Sequence, residues 1–175
     1  TRALAFGGTS PTTGKTELWN GSSWTEVSDL NTTKDNLTGS GADNEACLAF
    51  GGDTSPGART AQAESWDGSS WTEVGDLNTA RKQLGGAGTQ TSAIAAAGFT
   101  TTSLANAETW NGTAWTEVAN LNPTRNLLSG AAADSTAALA VGGLATTHRT
   151  ETESGDGSSW TEVGAFNTAR HNPGE

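Results

Sequence analysis

His148 and His171 are the only side chains in this 175-residue sequence whose ordinary pKa lets them exchange a proton near neutral pH. His148 falls in a loop and His171 in the C-terminal tail. Four carboxylates, Glu26, Glu73, Glu117 and Glu162, recur in one register inside a repeated Trp-Thr-Glu-Val. Acid–base catalysis needs convergent groups that do not repeat. The carboxylates therefore read as structure and the histidines as solvated. No His, Cys, Asp or Glu spacing matches a zinc or calcium site. The expectation is a non-enzyme with no catalytic residue, cofactor or metal.

A second recurring set is cationic. Lys34, Arg81, Arg125 and Arg170 each stand three residues after an asparagine, one per repeat. A fourfold arrangement would gather them at one mouth of a channel, where they could hold a carboxylate, sulfate or phosphate through charge-assisted hydrogen bonds. The alternative, which recurrence favours, is that each cation pairs with a carboxylate or carbonyl of the adjacent unit.

The elements that must position these groups repeat four times. The tryptophan of Trp-Thr-Glu-Val is Trp24, Trp71, Trp115 and Trp160, at intervals of 47, 44 and 45 residues. A second landmark, a glycine after an apolar run, recurs with it: LAFGG ends at Gly8, CLAFGG at Gly52, IAAAGF contains Gly98 and ALAVGG ends at Gly143. A period near 45 built from short alternating segments marks propeller blades, and no long amphipathic stretch suits a helical repeat. In the third copy, strand a is expected over 83–90, strand b over 92–99, strand c over 107–110 and strand d over 115–119. Asn20-Gly21, Asp67-Gly68, Asn111-Gly112 and Asp156-Gly157 supply the tight c–d turns. The units run over about 1–33, 34–80, 81–124 and 125–170 of one domain, with 171–175 completing the first blade. Trp19, Trp24, Trp66, Trp71, Trp110, Trp115 and Trp160 form the expected blade core; Gly155 stands where a fourth inner tryptophan would be.

The apolar run, double glycine, aromatic, tryptophan five residues on and closing cation resemble the Kelch repeat over the whole chain. The resemblance implies an all-β propeller of four-stranded blades, usually more than four in that family, that binds partners or, less often, carries an enzyme; the four repeats of this sequence set the expected number at about four. Trp replaces the usual tyrosine at the aromatic position. Kelch-like oxidases use a tyrosine-based copper centre, which a chain without tyrosine cannot build. SWDGSSW is similar to the aspartate box of sialidase propellers but is one residue short. The wording ESWDGSSWTEVGDLNTAR also resembles arrays in tail-fibre and structural proteins of marine tailed phages, which implies a virion or extracellular setting.

Composition sets further bounds. Net charge is −10 with no basic run, which argues against nucleic acid and anionic membranes. No apolar stretch is long enough to insert in a membrane. The lone Cys47, on an apolar strand, reads as a core residue. Seven regularly placed tryptophans oppose disorder despite the low apolar content of 33%.

The sequence begins in a strand b and stops where a strand a should start, consistent with a closed four-bladed ring latched by its termini. A part of a longer array and half of a larger oligomeric ring are the alternatives. From landmark glycine to inner aromatic position the separations are 12, 15, 12 and 13 (Gly7–Trp19, Gly51–Trp66, Gly98–Trp110, Gly142–Gly155). From outer tryptophan to the next landmark the separation is 27 each time. Length variation therefore gathers in the b–c loops, which parity places on the face of the d–a linkers. Lys15, Asp53, Arg59, Thr101, His148 and Arg149 on that face are the candidate contacts to a host-surface glycan or protein, or to other virion subunits. The alternative is a structural or decoration domain with no ligand.

Overall fold

A computed structural model describes residues 2–9, 11–54 and 57–173. Among them there is no helix, and 18 strands form five antiparallel sheets. Three of the sheets have four strands. The second comprises Thr38–Gly41, Cys47–Phe50, Ala63–Trp66 and Trp71–Glu73. The third comprises Gly85–Gly88, Ala93–Ala96, Ala107–Trp110 and Trp115–Val118, and the fourth Ser129–Ala132, Ala138–Val141, Arg149–Gly155 and Trp160–Arg170. The first sheet has only three strands, Ala3–Phe6, Thr16–Trp19 and Trp24–Glu26. Among the described residues no strand pairs with the outer side of Ala3–Phe6; the expected completion by the C-terminal tail falls on residues 174 and 175, which lie outside them. The fifth sheet is a small one of Lys34–Asp35, Asp53–Thr54 and Ala58–Arg59.

Each c–d hairpin turns as its residues require. Gly21, Gly68, Gly112 and Gly157 have φ of 108°, 92°, 93° and 86°, a region open to glycine. The preceding Asn or Asp closes the turn with its side chain. Asp67 Oδ1 accepts the Ser69 and Ser70 amides at 2.9 and 2.8 Å and the Ser69 hydroxyl at 2.8 Å. These bonds, the Ser69 hydroxyl first, hold the Asp67 carboxyl down at about 2. The turn sets Trp19 opposite Trp24, Trp66 opposite Trp71 and Trp110 opposite Trp115, with ring centroids 5.3–5.5 Å apart.

Tryptophans also join the sheets. Trp71 packs edge-on against Phe6 of the first sheet at 5.0 Å, and Trp115 packs at a tilt against Phe50 of the second at 4.8 Å. Trp66, Trp71, Trp110 and Trp115 are buried, while Trp19 and Trp160 are half-buried. Trp24 departs from the expected core: it is 48% exposed, and among the described residues the only aromatic ring stacked on it is Trp19. Cys47 is buried as expected; burial raises its thiol to about 11, and Sγ donates to the Asp43 carbonyl at 2.9 Å.

The landmark needs one correction. Gly7, Gly51 and Gly142 have φ of 68°, 67° and 61°, and each amide bonds across its own b–c loop, to Lys15, Gln62 and Glu151. In the third sheet that role belongs to Ala97, with φ 56° and a bond to Asn106, and not to Gly98. The alanine carries the strain because its neighbours hold it on both sides. The loop separations become 12, 15, 13 and 13, and the stretch from Trp71 to the next landmark shortens to 26.

Gly155 explains itself in the packing. A Cβ there would lie 3.0–3.1 Å from three ring atoms of Trp160, which has folded into the space of the inner ring. Gly155→Trp is therefore expected to lower the melting temperature, since overpacking of this kind costs ~1–3 kcal/mol. A rise on calorimetry would show that Trp160 can swing back to the position its counterparts hold.

Candidate functional site

The d–a linkers and b–c loops form one layer. Lys34–Asp35 pairs with Asp53–Thr54, which pairs in turn with Ala58–Arg59. Bridges Lys82–Phe99 and Asn126–Leu144 repeat the contact in the third and fourth sheets. Linkers and variable loops thus share a face, as strand parity requires.

Within this layer three of the four recurring cations are fully buried and paired. Lys34 Nζ lies 2.9 Å from Glu64, Arg81 Nη2 2.9 Å from Glu108 and Arg125 Nη2 2.7 Å from Glu153. Each carboxylate also accepts a linker amide, from Asn31 at 2.7 Å, Asn78 at 2.7 Å and Asn122 at 2.9 Å. One glutamate therefore ties the strand c that bears it to the linker entering its own sheet. Burial lowers the pKa of Arg81 and Arg125, and burial raises that of Glu153. Paired in this way, Lys34, Arg81 and Arg125 offer no charge to a ligand at a channel mouth. Arg170 differs: it is exposed, with its guanidinium 5.2 Å from the Phe166 ring centroid. Glu17, in register with Glu64, Glu108 and Glu153, is likewise exposed.

The candidate contact residues all fall in or beside the b–c loops but do not converge on one point. Lys15 is solvent-facing, 2.6 Å from Glu26 and 3.3 Å from Asp29, and the Glu26 hydrogen bond leads in raising its pKa. Asp53 and Arg59 sit opposite each other on their short hairpin. Asp53 is buried and takes Lys82 of the next linker at 2.5 Å, while its Oδ1 has no protein partner among the described residues. The Arg59 guanidinium stacks 5.7 Å over Phe99 from the third sheet's loop, and Thr101 is exposed two residues further on. His148 stacks on His171 at 4.7 Å, beside the half-buried Arg149–Glu151 pair at 3.3 Å. The loops thus build a rim with a central Asp53–Lys82 and Arg59–Phe99 cluster and a separate histidine pair.

Sequence reasoning missed Lys82, Phe99 and His171 as members of this rim, and Glu64, Glu108 and Glu153 as the cations' partners. A signal for the glutamates was present: a Glu stands two residues before each inner aromatic position, at 17, 64, 108 and 153. Among the described residues no group of three or more His, Cys, Asp or Glu side chains gathers in metal-binding range. Two cavities, of about 630 and 460 Å³, are each lined by residues of all four large sheets. Their walls are largely backbone and small side chains such as Gly39, Gly86, Gly130 and Ala131. No protein-family model matches the chain, and no curated protein matches it either.

Proposed function

We propose that the chain is a non-enzymatic binding and display module, a Kelch-like propeller of four blades whose b–c loop face attaches a virion or other surface to a host glycan or protein. The observation that carries this reading is the concentration of length variation, from 12 to 15 residues, in the b–c loops on one face of a repeated scaffold, whereas the stretches from outer tryptophan to next landmark differ by a single residue. Below that face the same Trp pair, Asp or Asn turn and buried cation–glutamate bond recur. Above it the loops differ in length and in every exposed group: Lys15, the Arg59–Phe99 stack, Thr101, and His148 with Arg149. Repeat scaffolds place recognition where the repeat does not constrain the residue. A mix of exposed hydroxyls, a stacked arginine and an aromatic ring suits polar, sugar-like or peptide surfaces.

The test exchanges all four b–c loops for one short loop with the sequence of residues 98–106. The variant is expected to keep its melting temperature within a few degrees and to lose binding to a panel of bacterial surface polysaccharides and intact host cells. Binding that survives the exchange removes the loop face from the account. A second reading, a structural or decoration domain without a ligand, draws support from the exposed Trp24. It is the outcome if the unaltered chain binds nothing in the panel.

A further inference from the structure

Seven of the nine lysines and arginines stand within ion-pair distance of a carboxylate, Arg2 on Glu45 at 2.8 Å among them. Among the described residues, Arg59 and Arg170 have no such partner. Arg170 is held on its own strand, where its Nε donates to the Thr168 carbonyl at 3.3 Å and its guanidinium covers Phe166. Arg59 is the unpaired cation of the b–c loop face, and it is exposed.

A circuit of four residues from two sheets places it. Arg59 stands opposite Asp53 on the hairpin of Asp53–Thr54 and Ala58–Arg59. Asp53 does not take the arginine: the carboxylate is buried, and its Oδ2 is 2.5 Å from Lys82 Nζ. The Lys82 amide donates to the Phe99 carbonyl at 3.1 Å and the Phe99 amide to the Lys82 carbonyl at 2.8 Å, which fixes the aromatic residue. Arg59 lies over that ring, with Cζ 5.7 Å from its centroid. An aromatic ring attracts the face of a guanidinium and leaves its in-plane N–H fork to solvent. Because Lys82 neutralises Asp53, the charge of Arg59 stays uncompensated at the rim. A side chain already held in this way binds a ligand at little cost in ordering.

We propose that the Arg59 guanidinium, held over Phe99, anchors a carboxylate-bearing sugar residue in an otherwise uncharged glycan. This rests on the reading of the loop face as the attachment surface and names the ligand class for it. The guanidinium fork matches the two oxygens of a carboxylate. The net charge of −10 limits how many such groups the ligand carries, since each further anion near the surface meets the repulsive field of the chain. An isolated carboxylate keeps the attraction of the fork and meets that field once. The exposed hydroxyls of Thr101 and Thr102, on the loop that bears Phe99, suit the neutral hydroxyls of a sugar. A peptide needs a large apolar anchor instead. The exposed large apolar side chains among the described residues, Trp24, Leu139 and Val163, stand on strands and not in the b–c loops.

The test is an NMR titration of the purified chain with three small probes. Methyl galacturonoside carries the carboxylate, methyl galactoside differs from it only at C6, and N-acetylglutamate amide presents the same group as an acidic peptide does. The uronoside is expected to shift the Arg59 and Phe99 side-chain resonances saturably and to bind about fivefold or more tightly than either of the others. Arg59→Gln, at an exposed position, is expected to keep the melting temperature and to bring the uronoside down to the level of the galactoside. Equal binding of the two sugars overturns the proposal, as does a preference that survives Arg59→Gln or the lack of any saturable shift. Equal or tighter binding of the glutamate amide overturns it too, by assigning the anchor to an acidic peptide. Attachment to host cells that is lost with the loop exchange but survives Arg59→Gln strikes this anchor alone. Attachment that survives the loop exchange strikes the loop-face reading, and the titration still decides the anchor.

Discussion

Arg125→Met is expected to destabilise the protein by ~3–5 kcal/mol, because it strands the carboxylate of Glu153 in the interior. Among the described residues, that carboxylate is left with only the Asn122 amide as a hydrogen-bond donor, at 2.9 Å. Hydrophobic packing cannot offset the loss, since a buried ion without its partner retains its desolvation cost. Burial already raises the Glu153 pKa, and Arg125 is among the groups holding it down. Removing the arginine raises it further. A group whose folded pKa exceeds its unfolded value favours folding below the unfolded pKa and disfavours it as pH rises through the folded one. The cost of Arg125→Met is therefore largest near neutral pH and shrinks as pH falls towards the ordinary glutamate value of 4.5. The double variant Arg125→Met/Glu153→Leu is expected to recover more than half of the loss. Urea unfolding at pH 7 and pH 4.5 measures both effects. A single-variant cost under ~1 kcal/mol would mean that water reaches the pair and that the repeated cation is ornamental.

The repeated pair also shows which features of the fold were legible. Strand c was legible to the residue over 107–110, because an alternating segment ends in a tryptophan followed by Asn-Gly and little else satisfies that pattern. The shared face of linkers and loops followed from strand count alone. The partner of each cation was not read, since it stands 27–30 residues further along the same repeat, and only the folding of strand c back over the linker that enters its own sheet brings the two together. The third landmark lies one residue from its expected place because sequence patterns reward glycine, whereas the backbone asks only for a positive φ that Ala97 supplies. At the candidate site, single exposed residues were legible and their associations were not. Arg59 gains its orientation from Phe99 in the loop of a different sheet, and His148 from His171.

Equivalence in sequence does not guarantee equivalence in energy, and the tryptophans put this to measurement. Trp71 and Trp24 occupy the same register of the repeat. Trp71 is 5% exposed, packs on Phe6 of the preceding sheet at 5.0 Å and donates its indole N–H to the Thr16 hydroxyl at 2.9 Å. Trp24 is 48% exposed, and its aromatic contact is confined to Trp19 in its own hairpin. Trp71→Ala removes a ring that seals the junction of two sheets, and leaves a cavity that the rigid strands cannot close. The expected loss is ~3–5 kcal/mol. Trp24→Ala removes a ring that water already reaches, and the expected loss is about 1 kcal/mol or less. The difference has a cause in the order of the sheets. Trp71 and Trp115 each pack on the sheet before their own, whereas Trp24 stands in the first sheet of the chain. Arg170 and Glu17, whose counterparts pair in the interior elsewhere in the repeat, are both exposed. Denaturant unfolding of the two variants side by side decides the matter. Near-equal losses for the two would mean that in solution Trp24 is covered as Trp71 is, and that the first sheet meets a neighbour on that side as the second and third do.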